Sequence, residues 1–383
     1  MTPRERVLAA LNHRQPDRIP IDLASTQVTG ISVVAYQNLR RYLALPEREP
    51  MVCDAIQQIC LPHDDVMNRF GIDTRGLWPV MNHTDFVDAD EGNCLTHQDE
   101  WGFTYQCKKG GGLWYDLVRH PLEQEMLGEG MVRGYPFPKG NELRRIAGLS
   151  GRAAAFREQG YAVVLKSVCA GLFEMMIRLR GMQNAMIDLI SDPVNAGRLL
   201  DQILRNKMDY WEMVLGELGD LVDVVAEGDD FGTQTSQLIS IQTWRDVIKP
   251  RQAELIQTMK KKAPHAKVFF HSCGNVRNFL PEFIEMGIDI LNPVHLSATG
   301  MAPAELKRDF GKDIVFWGGG IDTQVTLPQG TPFQVREEVK RNIQWLGVDG
   351  GFVFNTVHNI QADVPPANLV AMYEAVLHDV SFA

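Results

Sequence analysis

Lys267-Val-Phe-Phe-His271-Ser-Cys273-Gly-Asn275 is a short apolar run that ends in an imidazole, a thiol and a glycine turn. A run of this kind, with consecutive apolar residues at Val268, Phe269 and Phe270, reads as a strand buried on both faces. Similar runs recur from about residue 160 onward, at 162–168, 221–226, 288–294, 314–317 and 351–355. Between them lie stretches with helical spacing. Thr331-Pro332 supplies an N-cap and a first helical position, and Val335, Val339, Ile343 and Leu346 follow on or near one face. Pro365-Pro366 likewise precedes Leu369, Met372, Tyr373, Val376 and Leu377. Buried strands alternating with helices imply a parallel α/β sheet, either doubly wound or closed into a barrel. No Gly-x-Gly-x-x-Gly follows the first strand and no phosphate-loop lysine motif occurs, so the usual nucleotide sites of doubly wound sheets lack support. The predicted fold is therefore a (β/α)8 TIM barrel, a single domain over residues 1–383, with an N-terminal extension.

The extension opens on Thr2-Pro3-Arg4-Glu5, a capping box that predicts a helix through Leu11. A first strand is expected at 18–23, after the turn at Gln15-Pro16-Asp17. Residues 90–120 are aromatic, glycine-rich and alternating, which predicts a β-hairpin insertion or flap. With 383 residues the chain needs neither disulfides nor a metal to build a core. Its net charge of -10 argues against nucleic acid as a partner. No apolar window approaches the ~18 residues that cross a bilayer, and the opening residues lack a signal peptide's apolar core, so no membrane partner and a cytoplasmic location are expected. Six scattered cysteines, at 53, 60, 94, 107, 169 and 273, do not suggest a disulfide framework.

In a barrel, the C-terminal ends of the strands converge on the rim where active sites form. His271 and Cys273 share a face if their strand persists, and imidazole with thiolate is a donor pair zinc prefers; the alternative is a buried histidine and a packed thiol. His358, in Asn355-Thr-Val-His358-Asn-Ile, ends the last strand, whereas His13, His63, His83, His97, His120 and His378 fall in expected loops or helices. His358 is either a third ligand or a neutral histidine bonded to substrate or backbone. Two histidines and one thiolate would leave an open coordination position, the mark of a catalytic zinc. Glu227, Asp229 and Asp230 crowd a third strand end, where mutual repulsion calls for a metal or a hydroxylated or cationic substrate, unless they are solvated loop acids. Asn292 and the Gly318-Gly319-Gly320-Ile-Asp322 turn complete the set, the glycines permitting close approach of a ligand or simply forming a turn.

Residues 160 to 380 resemble the uroporphyrinogen decarboxylase superfamily, which includes zinc-dependent cobamide methyltransferases. The resemblance rests on His271-Ser-Cys273-Gly-Asn, Phe316-Trp-Gly-Gly-Gly-Ile-Asp322 and Phe354-Asn-Thr-Val-His358-Asn-Ile, with Arg4-Glu-Arg-Val-Leu-Ala-Ala-Leu and Pro16-Asp-Arg-Ile-Pro20 near the start. It implies the same barrel. It also implies two competing chemistries. The decarboxylase branch calls for an arginine-rich segment near the first strand, an aspartate on the next strand and a tyrosine on a later helix. This chain instead has Ile21-Asp-Leu-Ala-Ser25, Asp73-Thr-Arg-Gly-Leu-Trp-Pro-Val80 and Phe173-Glu-Met-Met-Ile177.

The methyltransferase branch holds one zinc by His-x-Cys and a later cysteine. His271 and Cys273 match, and His358 stands where the later cysteine would align. The resemblance thus implies a metal site of His271, Cys273 and His358, with Glu227 as fourth ligand or supporting partner. His358 and Asp229 are the expected catalytic groups, and Asp230, Gln234, Asn292, Gly319, Asp322 and Asn355 are expected to bind substrate. Replacing a thiolate by a neutral imidazole makes the metal a stronger Lewis acid, which brings ether cleavage within reach beside thiol activation. The implied activity is methyl transfer between a small methylated substrate or thiol and a corrinoid on a separate protein. A carboxy-lyase acting on a carboxylated, tetrapyrrole-like substrate is the alternative, and a non-catalytic corrinoid- or metal-binding barrel a second one. Aromatic residues near 101–115 line either the pocket rim or a homodimer contact.

Overall fold

Thr2 caps the first helix as expected: its Oγ1 accepts the Glu5 amide at 3.2 Å, and Glu5 accepts the Thr2 amide at 2.8 Å. The helix runs Pro3–Leu11 and lies across the N-terminal ends of the barrel strands, with Arg4 N donating to Gly160 O and Gly351 N to Ala10 O. Its Val7, Ala10 and Leu11 join the apolar cluster inside the barrel, so this helix stoppers the lower end.

The computed structural model describes residues 1–80, 89–123 and 126–380; His83 lies outside them. After the helix come three short strands that sequence patterning did not signal, β1 (Ile31–Ser32), β2 (Met51–Asp54) and β3 (Ile59–Leu61), antiparallel in the order β1-β3-β2. The first long barrel strand is β4 (Thr74–Leu77). The segment expected to hold one hairpin forms a four-stranded antiparallel sheet instead: β5 (Ala89–Glu91), β6 (Cys94–Gln98), β7 (Thr104–Lys108) and β8 (Asp116–Arg119), in sequential order. The barrel resumes with β9 (Ala162–Lys166), β10 (Val224–Gly228), β11 (Lys267–His271), β12 (Ile290–Asn292), β13 (Val315–Trp317) and β14 (Phe352–Val353).

These seven strands form one parallel sheet in the order β14-β13-β12-β11-β10-β9-β4. Ile21 closes the ring, because it pairs in parallel with Phe354 on one side and its carbonyl accepts the Asp73 amide at 2.8 Å on the other. The strand expected at 18–23 is thus reduced to a single bridging residue. Pro20 has no amide to donate, and the Asp22 carboxylate folds onto the hydroxyls of Ser25 and Thr74. The result is an α/β TIM barrel.

Strand alternation decides which side chains meet inside it. Ala162 and Val164, Val224 and Ala226, Phe269, Ile290, Val315 and Trp317, and Val353 point inward and form the inner cluster. Val163, Leu165, Val225, Val268, Phe270, Leu291, Phe316 and Phe352 point outward and pack with the surrounding helices, which include Pro193–Leu218, Lys249–Lys262, Pro332–Leu346 and Pro366–Glu374. Thr331 caps the Pro332–Leu346 helix with a capping box, as its sequence predicts. All six cysteines are free thiols. Among the described residues, no helix is long and apolar enough to cross a membrane.

Candidate functional site

Carried one step further, the inward phase of β9, β10, β11 and β12 brings Lys166, Gly228, His271 and Asn292 to the upper rim. His271 Nδ1 lies 2.5 Å from Asn292 Oδ1, and Asn292 Nδ2 donates to Trp317 O at 2.7 Å. The second bond turns the amide oxygen of Asn292 toward the ring, so His271 carries its proton on Nδ1 and presents the Nε2 lone pair. That Nε2 is 3.5 Å from Cys273 Sγ. His358 arrives from beyond β14, its ring centroid 5.6 Å from that of His271 at an interplanar angle of 62°. One ligand atom from each of His271, Cys273 and His358 lies within 4.8 Å of the other two.

Burial, then the neighbouring His271, lowers the His358 pKa to about 4, so its ring is neutral at pH 7 and available as a donor. Burial, then Asp230 and Glu174, raises that of the Cys273 thiol well above its ordinary value. A cation among these donors would reverse that balance and favour the thiolate. Asp230 Oδ1 accepts the Cys273 amide at 2.7 Å and stands 3.7 Å from His271 Nε2.

His271, His358 and Asp230 border a cavity of about 310 Å³. Glu174, Met175 and Arg178 line it from the Leu172–Arg180 helix, and Trp101, Phe103 and Tyr105 from the insertion. Its acids are Asp54, Asp99, Glu100, Glu174, Glu227 and Asp230, against two cations, Lys166 and Arg178. Burial and Asp230 raise the Glu174 pKa, and burial lowers that of Lys166.

The structure brings His271, Cys273 and His358 together but does not bring the fourth expected ligand to them. Glu227 stands apart from the three donors. It shares the outward phase of Val225, and its carboxylate accepts from Lys207 Nζ at 2.9 Å, Ser167 Oγ at 2.8 Å and Trp211 Nε1 at 2.5 Å. Asp229 is placed away from the cavity: fully buried, it accepts from the Phe173 and Glu174 amides and from Gln252 Nε2, all at 2.9 Å. Strand alternation therefore sends the three carboxylates different ways. What raises the Asp229 pKa is burial and Glu174, not its sequence neighbours.

Among the expected substrate-binding residues, Asp230 alone lines the cavity. Asn292 is wholly buried as the brace under His271. Asn355 holds Asp22 O and Thr29 O. Gly319 is packed on Val294 with φ +86°, where a Cβ would come within 2.6 Å of that residue's Cβ. Asp322 caps the Gln324 and Val325 amides, and Gln234 bonds Gln324 at 2.6 Å.

Other residues escaped the sequence reading. Lys166 is the inward continuation of Ala162 and Val164, a signal that strand phase could have given. Glu174 and Arg178 are one helical turn apart, a pattern indistinguishable from a surface pair. His295, nearly buried, accepts the Gly274 amide on Nδ1 at 2.9 Å. Burial lowers its pKa, which keeps that nitrogen free to accept.

The fold resembles that of a methyltransferase from Methanosarcina mazei, with a TM-score of 0.67 and 17% identity over the full length of both chains. Curated uroporphyrinogen decarboxylases are also similar. That of Legionella pneumophila (strain Corby) is 31% identical over 144 residues, which is 38% of either chain. That of Chlorobium limicola is 27% identical over 219 residues, 52% of this chain and 59% of the relative. The chain thus spans well under two thirds of the length of these relatives. The family model for uroporphyrinogen decarboxylase (URO-D) matches residues 152–378, more than half of the chain and all the barrel from β9 onward. By that match, which takes in His271, Cys273 and His358, the chain belongs to the uroporphyrinogen decarboxylase family.

Proposed function

We propose that this chain is a zinc-dependent methyltransferase that moves a methyl group between a small methylated substrate or thiol and a corrinoid carried by a separate protein. The observation that carries the reading is the convergence of His271, Cys273 and His358 beside a cavity that both histidines line. Two imidazoles and a thiol are a zinc donor set, and three protein donors would leave a position for substrate. Zinc held there supplies Lewis acidity, which polarises an ether oxygen or lowers the pKa of a thiol.

The chain's own residues supply the rest. Asn292 fixes the ring orientation and tautomer of His271. Asp230, on the cavity wall, is placed to take the proton of a thiol acceptor. Trp101, Phe103 and Tyr105 supply an aromatic part of the cavity wall. The methyl group passes as a formal cation: the acceptor's electron pair makes the new bond, and the pair of the broken bond stays with the donor.

The names of the curated relatives support a second reading, decarboxylation. The lining weighs against it for a tetrapyrrole with many carboxylates, because acids outnumber the two cations even with Glu227 committed to Lys207, in a cavity at the small end of the range for ligand sites. Elemental analysis of zinc-supplemented protein, followed by assay of methyl exchange between methylcobalamin and panels of thiols and small methyl ethers, tests the choice. One zinc per chain, lost in His271→Ala, together with exchange, is the expected result. Metal-free protein that turns over uroporphyrinogen would overturn it.

A further inference from the structure

The turn that carries Cys273 is held through its amides. Cys273 N donates to Asp230 Oδ1 at 2.7 Å, Gly274 N to His295 Nδ1 at 2.9 Å and Asn275 N to Thr233 O at 2.7 Å. Three consecutive amides are thus taken by acceptors from two other strand-end loops. Gly274 has φ +84°, and a Cβ there would lie 2.5 Å from the Gly232 carbonyl carbon, so the turn is pressed against a neighbouring backbone with no room to slide. The acceptor for its middle amide comes from a side chain outside the expected ligand set. His295 lies three residues beyond β12 and is 9% exposed.

We propose that His295 is a positioning residue for the Cys273 thiolate: by accepting the Gly274 amide on Nδ1, it holds the turn in the conformation that keeps Cys273 Sγ beside His271 Nε2. The inference rests on the zinc reading above and assigns a role that the three donors alone do not imply. A buried amide left without an acceptor is costly, so losing the imidazole drives the turn to rearrange. The sulfur moves with it.

The test compares His295→Leu, which fills the space without an acceptor, with His295→Asn, whose Oδ1 stands near the position of Nδ1. Zinc affinity is measured by chelator competition, and the cysteine–metal bond by the thiolate-to-cobalt absorption band of cobalt-loaded protein. H295L is expected to weaken zinc binding by roughly 10-fold or more and to diminish the band, as loss of a partner behind a ligand does. H295N is expected to retain both. In metal-free protein, hydrogen exchange in the peptide containing Gly274 is expected to quicken in H295L and not in H295N. Should H295L fail to fold, His295→Ala replaces it in the same comparison. Wild-type affinity, band and exchange in H295L would overturn the proposal, as would equal loss in H295N. Wild-type protein that binds no zinc would instead overturn the zinc reading, so the two failures are distinguishable.

Discussion

Substituting Glu227 by glutamine separates a metal ligand from a structural ion pair. In the folded chain Lys207 and Glu227 are 1% and 2% exposed and meet at 2.9 Å, so neither charge has water to fall back on. Removing one partner of such a pair costs about 3–5 kcal/mol. The lower end applies here, because Lys207 Nζ keeps Ser167 Oγ at 3.1 Å and the carbonyls of Cys169 and Ala170 at 3.3 and 2.9 Å. With about 2.1 cal/mol/K of unfolding entropy per residue, 383 residues give roughly 0.8 kcal/mol/K, and a loss of about 3 kcal/mol lowers Tm by about 4 °C. Calorimetry gives Tm, and elemental analysis of the same sample gives zinc. Glu227→Gln is expected to melt earlier with one zinc per chain, whereas His271→Ala loses the metal. A Glu227→Gln protein that keeps its Tm and loses zinc would refute the assignment and return Glu227 to the ligand set.

The other predictions address the brace, the barrel interior and the third donor. Asn292→Ala removes the acceptor of His271 Nδ1–H and is expected to weaken zinc binding by about 10–100-fold with little change in secondary structure, measured by chelator competition and circular dichroism. Trp317→Ala, at a fully buried residue whose Nε1 donates to Asp22 at 2.9 Å, is expected to cost about 3–5 kcal/mol in urea unfolding. Metal-free protein is expected to lose stability as pH falls. The His358 pKa is depressed from 6.5 to about 4, so between those values the unfolded chain binds the extra proton and acid favours unfolding. His358→Gln is expected to flatten that dependence in melts between pH 7 and pH 4.

The barrel was legible from β9 onward because each strand there overlaps a mostly apolar run of four to seven residues, separated from the next by helices with clear starts such as Thr331-Pro332, whereas β4 carries no such run. His271 and Cys273 were legible because both lie within one local phrase, and His358 because it ends the last strand. What failed was reading carboxylates by their proximity in sequence. Along β10, Val224 and Ala226 fill the barrel while Val225 joins the outer layer, so Glu227 and Asp229 are committed outward before any chemistry is considered. Applying the period of two from the strand core would have retained Asp230 and released the other two. His295 had no comparable signal. It follows Pro293-Val294 in a loop whose return to Gly274 is a tertiary contact. The three-stranded sheet of β1, β2 and β3 was missed for the same reason, as strands of two to four residues carry almost no periodicity.

The distribution of bulk inside the barrel assigns the approach to the site. Phe269, two residues before His271 on the same face, meets Trp317 edge to face with ring centroids 5.5 Å apart, directly under the rim. Below them Val164, Val224, Ile290, Val315 and Val353 fill the interior, and Val7, Ala10 and Leu11 close the lower end. Among the described residues the interior is filled, so the three donors are reached from the upper rim, where the insertion contributes part of the cavity wall. Trp101, Phe103 and Tyr105 line the cavity from the insertion, while the donor set stands on barrel strand ends and the loops that follow them. On the proposed function, chemistry and selection then sit on separable parts of the chain: substitutions in the insertion are expected to change which molecule is accepted, and those at His271, Cys273, Asn292 and His358 to change what is done to it.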